Sequence, residues 1–379
     1  MRRRFFVLAI ASVVGCTLLN PLDAYDRGSP HDAGGDDVVT PGDAGPDGGC
    51  IPARWPSPPA DNGGAGDGTI EFLNAVSTLD LGGPAAEGGR RAVSSYDLDG
   101  ICTCPGPGSC KPPAGVKDTC DGPGGADNAG GELVVALTGL GLLDAEITKQ
   151  IALGEYGLLF KVSGYNGGPN DTTVALSVFL SNGMAGSEVD GGTRRLPAFD
   201  GADEWTINPA SVTGTSGPPY RPRIELSDVK AYVGGGILVA RLTFPVQLGP
   251  LTMALTGCVL TGRIIKDALG YHIEDGRFVG RWPTAKMLPA FGAIEDRTRG
   301  FPNAGVCGDS GVYPQIKTKV CGALDIAAAE KDDGKGTSCN ALAISMRFSS
   351  TMSRFGALFA PASQPAFNCP PNWADDCVP

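Results

Sequence analysis

From Tyr156 onward, apolar and polar positions fall into short runs broken by Gly, Pro, Asn and Asp. "YGLLFKVSGY", "TTVALSVFLS", "IELSDVKAYV", "GILVARLTFPV", "LTMALTGCVLTGRII" and "HIEDGRFVGRW" are rich in β-branched and aromatic residues. Several of them alternate with the period of a half-buried strand. "VGGGIL" at 233–238 and "EDGR" at 274–277 predict hairpin turns. A helical period is confined to four places. "DNAGGELVVALTGLGLL" opens at Asp127, a candidate N-cap, although its glycines weaken it, and "DAEITKQIALG" starts at Asp144, stops at Gly154 and puts Ile147 and Ile151 on one face. A helical insert over 283–335 holds "TAKMLPAFGAI" and "YPQIKTKVCGALDIAAA", and "ALAISMRFSS" predicts a last strand. Successive strands joined by short turns predict a mainly β (α+β) domain over 69–360, an antiparallel β-sandwich rather than βαβ units. A domain of that length buries roughly three quarters of its unfolded surface.

The first residues follow a different rule. "MRRRFFVLAIASVVGC" carries a basic start at Arg2, Arg3 and Arg4, an apolar run from Phe5 to Val14, and a small residue, Gly15, before Cys16. This is the layout of an export signal, with a run too short for a membrane-spanning helix. The ending Val13-Val14-Gly15-Cys16 resembles the lipobox of bacterial lipoproteins. That resemblance implies cleavage after residue 15, acylation of Cys16 on sulfur and amine, and a lipid anchor that several acyl chains make stable. Thr17 stands where an inner-membrane retention signal carries Asp, so the implied destination is the outer membrane. No other apolar run reaches about eighteen residues, which leaves lipid as the only anchor in view.

Residues 16–68 are rich in Asp, Gly, Pro and Ala, with "HDAGGDDVVTPGDAGPDGG" at their centre. So few large apolar residues cannot offset the entropy of ordering, and the segment reads as a disordered tether. Its r.m.s. span is roughly 40 Å. "CIPARWPSPP" at 50–59 interrupts it with a cysteine, a tryptophan and a proline run, and is expected to dock on the domain through Cys50.

Charge narrows the partners. There are 30 Lys and Arg against 41 Asp and Glu, a net charge of -11 that becomes more negative once the signal arginines are removed. Nucleic acid and anionic membrane surfaces both need a positive face and are excluded as partners. Twelve cysteines in an exported chain read as disulfides before they read as metal ligands. With Cys16 acylated, the disulfide candidates are Cys50, Cys102, Cys104, Cys110, Cys120, Cys307, Cys321, Cys339, Cys369 and Cys377. Cys258, inside an apolar strand run, is the expected buried thiol. The C-terminal tail 361–379 ends in "CPPNWADDC", whose Cys369 and Cys377 are expected to close on each other.

Few patterns point to chemistry. "CGDSGVYP" at 307–314 contains the Gly-Asp-Ser-Gly string that resembles the nucleophile segment of trypsin-like proteases, but Val312 and Tyr313 follow where that family continues with glycine and proline. A triad also needs a histidine base, and the only histidines are His31 in the tether and His272 in a strand. Ser310 is therefore read as a helix cap. Two histidines cannot build a multi-histidine metal site. No G-x-S-x-G elbow, phosphate loop or G-x-G-x-x-G set occurs, so nucleotide chemistry has no support.

The block "YDLDGICTCPGPGSC" at 96–110 remains, inside a loop spanning 96–131. Its Cys102, Cys104, Cys110 and Cys120 lack the C-x-x-C spacing of zinc knuckles and redox motifs, so disulfide staples are expected. "CTCPGPGSC" resembles the end of an epidermal-growth-factor-like module, whose full cysteine set is missing. Asp97-Leu98-Asp99-Gly100 matches the middle of a calcium loop, where alternate oxygens and a glycine turn wrap a hard cation. With Asp121, Asp127 and Asn128 from "CDGPGGADNAGG", the region is similar to thrombospondin type 3 repeats, which implies Ca²⁺ as the one cofactor to consider. An EF-hand register fails, because it puts Ser95 first and Gly106 twelfth. A competing reading makes these Asp and Gly residues turn formers and caps. "FDGADEW" at 199–205 adds a second carboxylate group, Asp200, Asp203 and Glu204, which reads either as a cation holder or an acid/base pair or, more simply, as loop solvation.

Two function classes follow. The first is a lipid-anchored envelope protein whose β domain binds a glycan or protein partner, or serves structurally, without catalysis. The second is an exported glycan hydrolase using loop carboxylates. As a whole the chain is similar in style to lipoproteins of bacteria with high-GC genomes that pair Asp/Gly tethers with cysteine-stapled β domains.

Overall fold

The computed structural model describes residues 52–61, 68–80, 95–104, 108–131, 133, 147–186, 195–294, 305–307, 313–360 and 375–377, apart from 118, 215–216, 244 and 249–250. The signal segment, most of the tether and Ser310 lie outside the described residues. Among the described residues twelve strands follow in order: β1 (Ile70–Asp80), β2 (Gly157–Tyr165), β3 (Asp171–Ser181), β4 (Glu204–Ile207), β5 (Ser227–Gly234), β6 (Ile237–Leu242), β7 (Pro245–Leu248), β8 (Leu251–Ala254), β9 (Thr256–Lys266), β10 (Tyr271–Pro283), β11 (Ala341–Met352) and β12 (Arg354–Leu358). Three α-helices lie wholly within the described residues, α1 (Ile147–Ala152), α2 (Thr284–Gly292) and α3 (Tyr313–Cys321), and a further helical stretch begins at residue 129.

Eight strands form a closed antiparallel barrel in the order β1-β11-β10-β9-β6-β5-β3-β2. The expected sandwich is corrected to a barrel, and β1 is the reason. It pairs with β11 on one side and β2 on the other, which joins what would be two sheet edges. Its run "IEFLNAVSTLD" hides the strand period in two ways. A register shift falls between Val76 and Thr78, and the buried Asn74 interrupts the apolar face. Asn74 is satisfied across strands: its Nδ2 donates to the Tyr271 carbonyl at 2.9 Å, and Ser350 Oγ lies 3.4 Å from its Oδ1.

The period of two assigns the two barrel faces. Phe160 and Val162 of β2, Leu176 and Val178 of β3, Leu260 of β9, Phe278 and Trp282 of β10, and Ile344, Met346 and Phe348 of β11 fill the interior. Eight strands enclose a space about wide enough for such side chains. Exposed Thr172, Thr173, Lys230, Arg263 and Glu274 lie on the strands outside. That polarity is the reverse of a membrane-spanning barrel, whose apolar band faces outward. No helix among the described residues is long and apolar enough to cross a membrane.

Two stretches of outer wall are covered. Over β1, β2 and β3, the outward Ala75, Leu159 and Phe179 pack on Trp205 and Ile207 of β4, with Tyr220 and the partly buried Phe355 beside them. Over β6, β9, β10 and β11, the outward Val239, Val259, Val279 and Ala343 pack on Tyr96, Leu98 and Ile326. The stapled loop thus lies flat on the barrel rather than projecting from it. Helix α2 starts where β10 ends and sends Met287, Leu288 and Phe291 into the main core, where Ile316 and Val320 of α3 join it.

Several local expectations are adjusted. "VGGGIL" is a two-residue hairpin, with Gly234 opposite Ile237 and positive φ at Gly235 and Gly236. "EDGR" is not a turn: β10 runs through it with a bulge, Asp275 at φ 48°, while β9 pairs on both sides of the irregularity. The helix expected over "YPQIKTKVCGALDIAAA" stops at Cys321, and Ile326 instead bridges to Ala341. Residues 52–57 belong to the domain rather than to a tether running to Gly68. Ala53 exchanges backbone bonds with Gly124 and Asp97, Tyr232 Oη donates to the Pro56 carbonyl, and the Trp55 ring meets Tyr96 edge-on at 5.7 Å.

Among the described residues, every cysteine but Cys258 is in a disulfide, with one change of partner from expectation. Cys104–Cys120 closes the stapled loop on itself, and Cys110–Cys339 ties it to the chain just before β11. Cys321 pairs with Cys377, so the tail does not close through Cys369, which lies outside the described residues together with Cys16 and Cys50. Cys102 and Cys307 are also in disulfides, and Cys258 is a buried thiol.

Candidate metal centre

The stapled loop carries the most unusual electrostatics among the described residues. Asp97 and Asp99 flank Leu98, which packs on the barrel wall, and Asp127 precedes a helical stretch that begins at residue 129. Each carboxylate spends one oxygen on building the loop. Asp97 Oδ1 accepts from the Gly100 N–H, Asp99 Oδ1 from the Ile101 N–H at 2.7 Å, and Asp127 Oδ2 from the Leu98 N–H at 2.7 Å. The other oxygens, Asp97 Oδ2, Asp99 Oδ2 and Asp127 Oδ1, are buried and accept no hydrogen bond. One oxygen from each residue lies within 4.8 Å of the others. Asp97 and Asp127 are 0% and 1% exposed, so water does not solvate them.

Gly125 shapes one side of this centre. Its φ is +70°, and a Cβ there would sit 3.2 Å from Asp97 Oδ2 and 2.9 Å from Cys102 Sγ, so the backbone passes where no side chain fits. The nearby sulfur is in a disulfide and offers no thiolate.

Burial and mutual repulsion act in the same direction on these acids. Burial, with Asp99 alongside, lifts Asp97 to about 6 against the opposing Gly100 N–H and Arg54. Burial, then Asp99, Asp325 and Asp97, lifts Asp121 to about 7. Asp127 is pushed well above the carboxylate range by burial and then by Asp99, Asp121 and Asp325. Two cations stand near this acidic group: Arg54, whose Nη1 donates to the Asp97 carbonyl, and Arg281, which is paired with Asp333.

Of the five residues read from the sequence as calcium ligands, three meet. Asp121 stands beside them and accepts the Thr103 N–H through Oδ2 at 2.6 Å. Asn128 points elsewhere, its Oδ1 accepting the Ser345 N–H of β11 at 2.9 Å. Asp127 is not the helix cap either: Asp325 Oδ2 takes the Ala129 N–H from a distant segment, and Asp325 Oδ1 takes the Ala343 N–H. Asp325, Arg54 and Arg281 carried no local signal, because each reaches the loop only through the tertiary fold.

Of the other candidate acids, Asp200 and Asp203 form turns, and Glu204 is an exposed residue at the start of β4. Asp203 is buried, and its Oδ2 accepts from the N–H groups of Ala198 and Phe199. Asp200 Oδ1 accepts from Ala202. These roles lend no support to a hydrolytic acid pair. His272 sits between Glu274 at 3.0 Å and Asp267 at 3.6 Å on the barrel surface. No family model, curated protein or solved structure matches the chain.

Proposed function

We propose that this protein is a lipid-anchored outer-membrane protein of the bacterial envelope, with a non-catalytic barrel domain that binds an envelope glycan or protein partner or serves structurally. Location rests on the arginine start, the short apolar run and the Val13-Val14-Gly15-Cys16 ending. The observation that most favours a non-catalytic role is the barrel itself. Among the described residues its inward side chains pack into one core, and Asp200 and Asp203 of the 199–205 loop spend carboxylate oxygens on turns. A rigid scaffold with covered walls suits the presentation of surface loops. Nucleic acid and nucleotide partners stay excluded on charge and motif grounds.

The anchor is tested by Cys16→Ser in a bacterial host. The native chain is expected in the membrane fraction, solubilised by detergent and not by high salt, and the variant in the soluble fraction. A variant that stays in the membrane fraction would contradict lipid anchoring.

A further inference from the structure

Asp97, Asp99 and Asp127, from two separate stretches of chain, each accept a loop N–H on one carboxylate oxygen and keep the other buried without a hydrogen-bond partner, and one oxygen of each residue lies within 4.8 Å of the others. Leaving such oxygens dry is expensive unless something positive stands between them. We propose that the point where Asp97, Asp99 and Asp127 meet binds a calcium ion, and that this ion locks the stapled loop and the segment 52–57 onto the barrel wall.

The donor set specifies the ion class. All three ligands are hard carboxylate oxygens, which suit Ca²⁺ or Mg²⁺ rather than a thiophilic or imidazole-seeking metal. Oxygens on one ion lie no further apart than two metal–oxygen bonds, about 4.6–5.2 Å for calcium, and these lie within 4.8 Å. Calcium also accepts irregular geometry that magnesium does not, which fits ligands whose positions are set by three separate backbone N–H bonds.

Coupling to residues 52–57 follows from shared backbone. The N–H of Asp97 donates to the Ala53 carbonyl at 2.8 Å, the Asp97 carbonyl accepts from Arg54 Nη1 at 2.9 Å, and the Ala53 N–H donates to Gly124, beside the Gly125 that abuts Asp97. The guanidinium groups of Arg54 and Arg241 then stand 5.8 and 5.5 Å from the Trp55 ring. Fixing Asp97 therefore fixes the point where the anchored end of the chain joins the barrel.

The test uses the full chain, stripped with chelator and titrated with calcium chloride by calorimetry, while trypsin cleavage at Arg54 is followed by mass spectrometry. Binding is expected with a dissociation constant of about 1 mM or tighter, as in extracellular calcium modules. Cleavage after Arg54 is expected to slow several-fold with calcium, because proteolysis follows the population of the open form. Asp99→Asn, at a half-buried position that tolerates the change, is expected to weaken binding about 10-fold or more and to restore cleavage, while Asp200→Asn leaves both unchanged. The absence of calcium binding to the folded native chain up to about 10 mM, well above that range, would overturn the site. Equal affinity for magnesium would overturn the calcium assignment, and binding without protection of Arg54 would overturn the coupling.

Discussion

Alanine at both Cys110 and Cys339 is expected to cost the domain about 5 kcal/mol, the largest loss from any pair of substitutions considered for this fold. The bond spans 229 residues, and on the chain-entropy account the contribution of a disulfide grows with the logarithm of the loop it closes. It also sits within a set of backbone hydrogen bonds between the same two segments. On either side of it, Lys111 donates to the Thr337 carbonyl at 2.7 Å and accepts from the Cys339 N–H at 2.8 Å, a short parallel bridge between the stapled loop and the approach to β11. The Cys104–Cys120 bond, with a separation of 16, is expected to contribute only about 3 kcal/mol on the same account. Thermal unfolding of the two double variants checks the order. The longer bond should lower the melting temperature by on the order of 10 °C, and more than the shorter one does. Equal shifts would mean that the stapled loop is held to the barrel by packing alone.

Replacing Arg281 with Met is expected to cost about 3–5 kcal/mol, because it strands a charge inside the protein. Arg281 points outward from β10 but is only 1% exposed, since the stapled loop covers it. Its two terminal nitrogens hold both oxygens of Asp333 at 2.7 and 2.6 Å, and they also donate to the carbonyls of Ala327 and Leu98. One side chain thus pins three segments to the wall, and Leu98 is the residue between the two aspartates of the acidic centre. Chemical denaturation of Arg281→Met against the double variant Arg281→Met/Asp333→Leu separates charge from packing. The double variant should recover much of the loss, because an apolar pair of similar volume avoids the buried, unpaired carboxylate. Equal instability of the two would locate the contribution of Arg281 in its bonds to Leu98 and Ala327.

The strands of this barrel were legible because most of their inward and outward positions follow a clean alternation, as in Leu342, Ile344, Met346 and Phe348 of β11. Closure was not legible. It depends on β1 pairing with two strands that lie far along the chain, a non-local event with no local signature, and β1 itself is masked by Asn74 and a register shift. The double glycine at 235–236 announced a hairpin because both residues take positive φ. Asp275-Gly276 looked the same, yet became a bulge, because neighbouring strands continue to pair with β10 past it. Cysteine spacing identified the oxidised residues but not their partners: Cys377 lies eight positions from Cys369 in sequence and bonds to Cys321, which α3 carries to the tail.

The acidic centre was partly legible for a related reason. Asp97, Asp99 and Asp127 sit in Asp/Gly stretches whose turns bring oxygens together locally, so the residue types were already suggestive. What makes the centre unusual is its burial under Tyr96 and Leu98 against the barrel wall, together with the arrival of Arg54 and Asp325 from opposite ends of the chain. Asn128 shows the converse: it shares the local pattern, but the fold spends its side chain on β11.

The intact mass of the protein extracted from membranes, measured before and after reduction and alkylation, tests the central claim of an anchored and stapled envelope protein most directly. Loss of residues 1 to 15, a mass increment for a triacylated Cys16, and disulfides at every remaining cysteine except Cys258 are expected. An unmodified Cys16 would contradict the anchor, and reduced cysteines at Cys104, Cys110, Cys120 or Cys339 would contradict the staples that hold the acidic loop to the barrel.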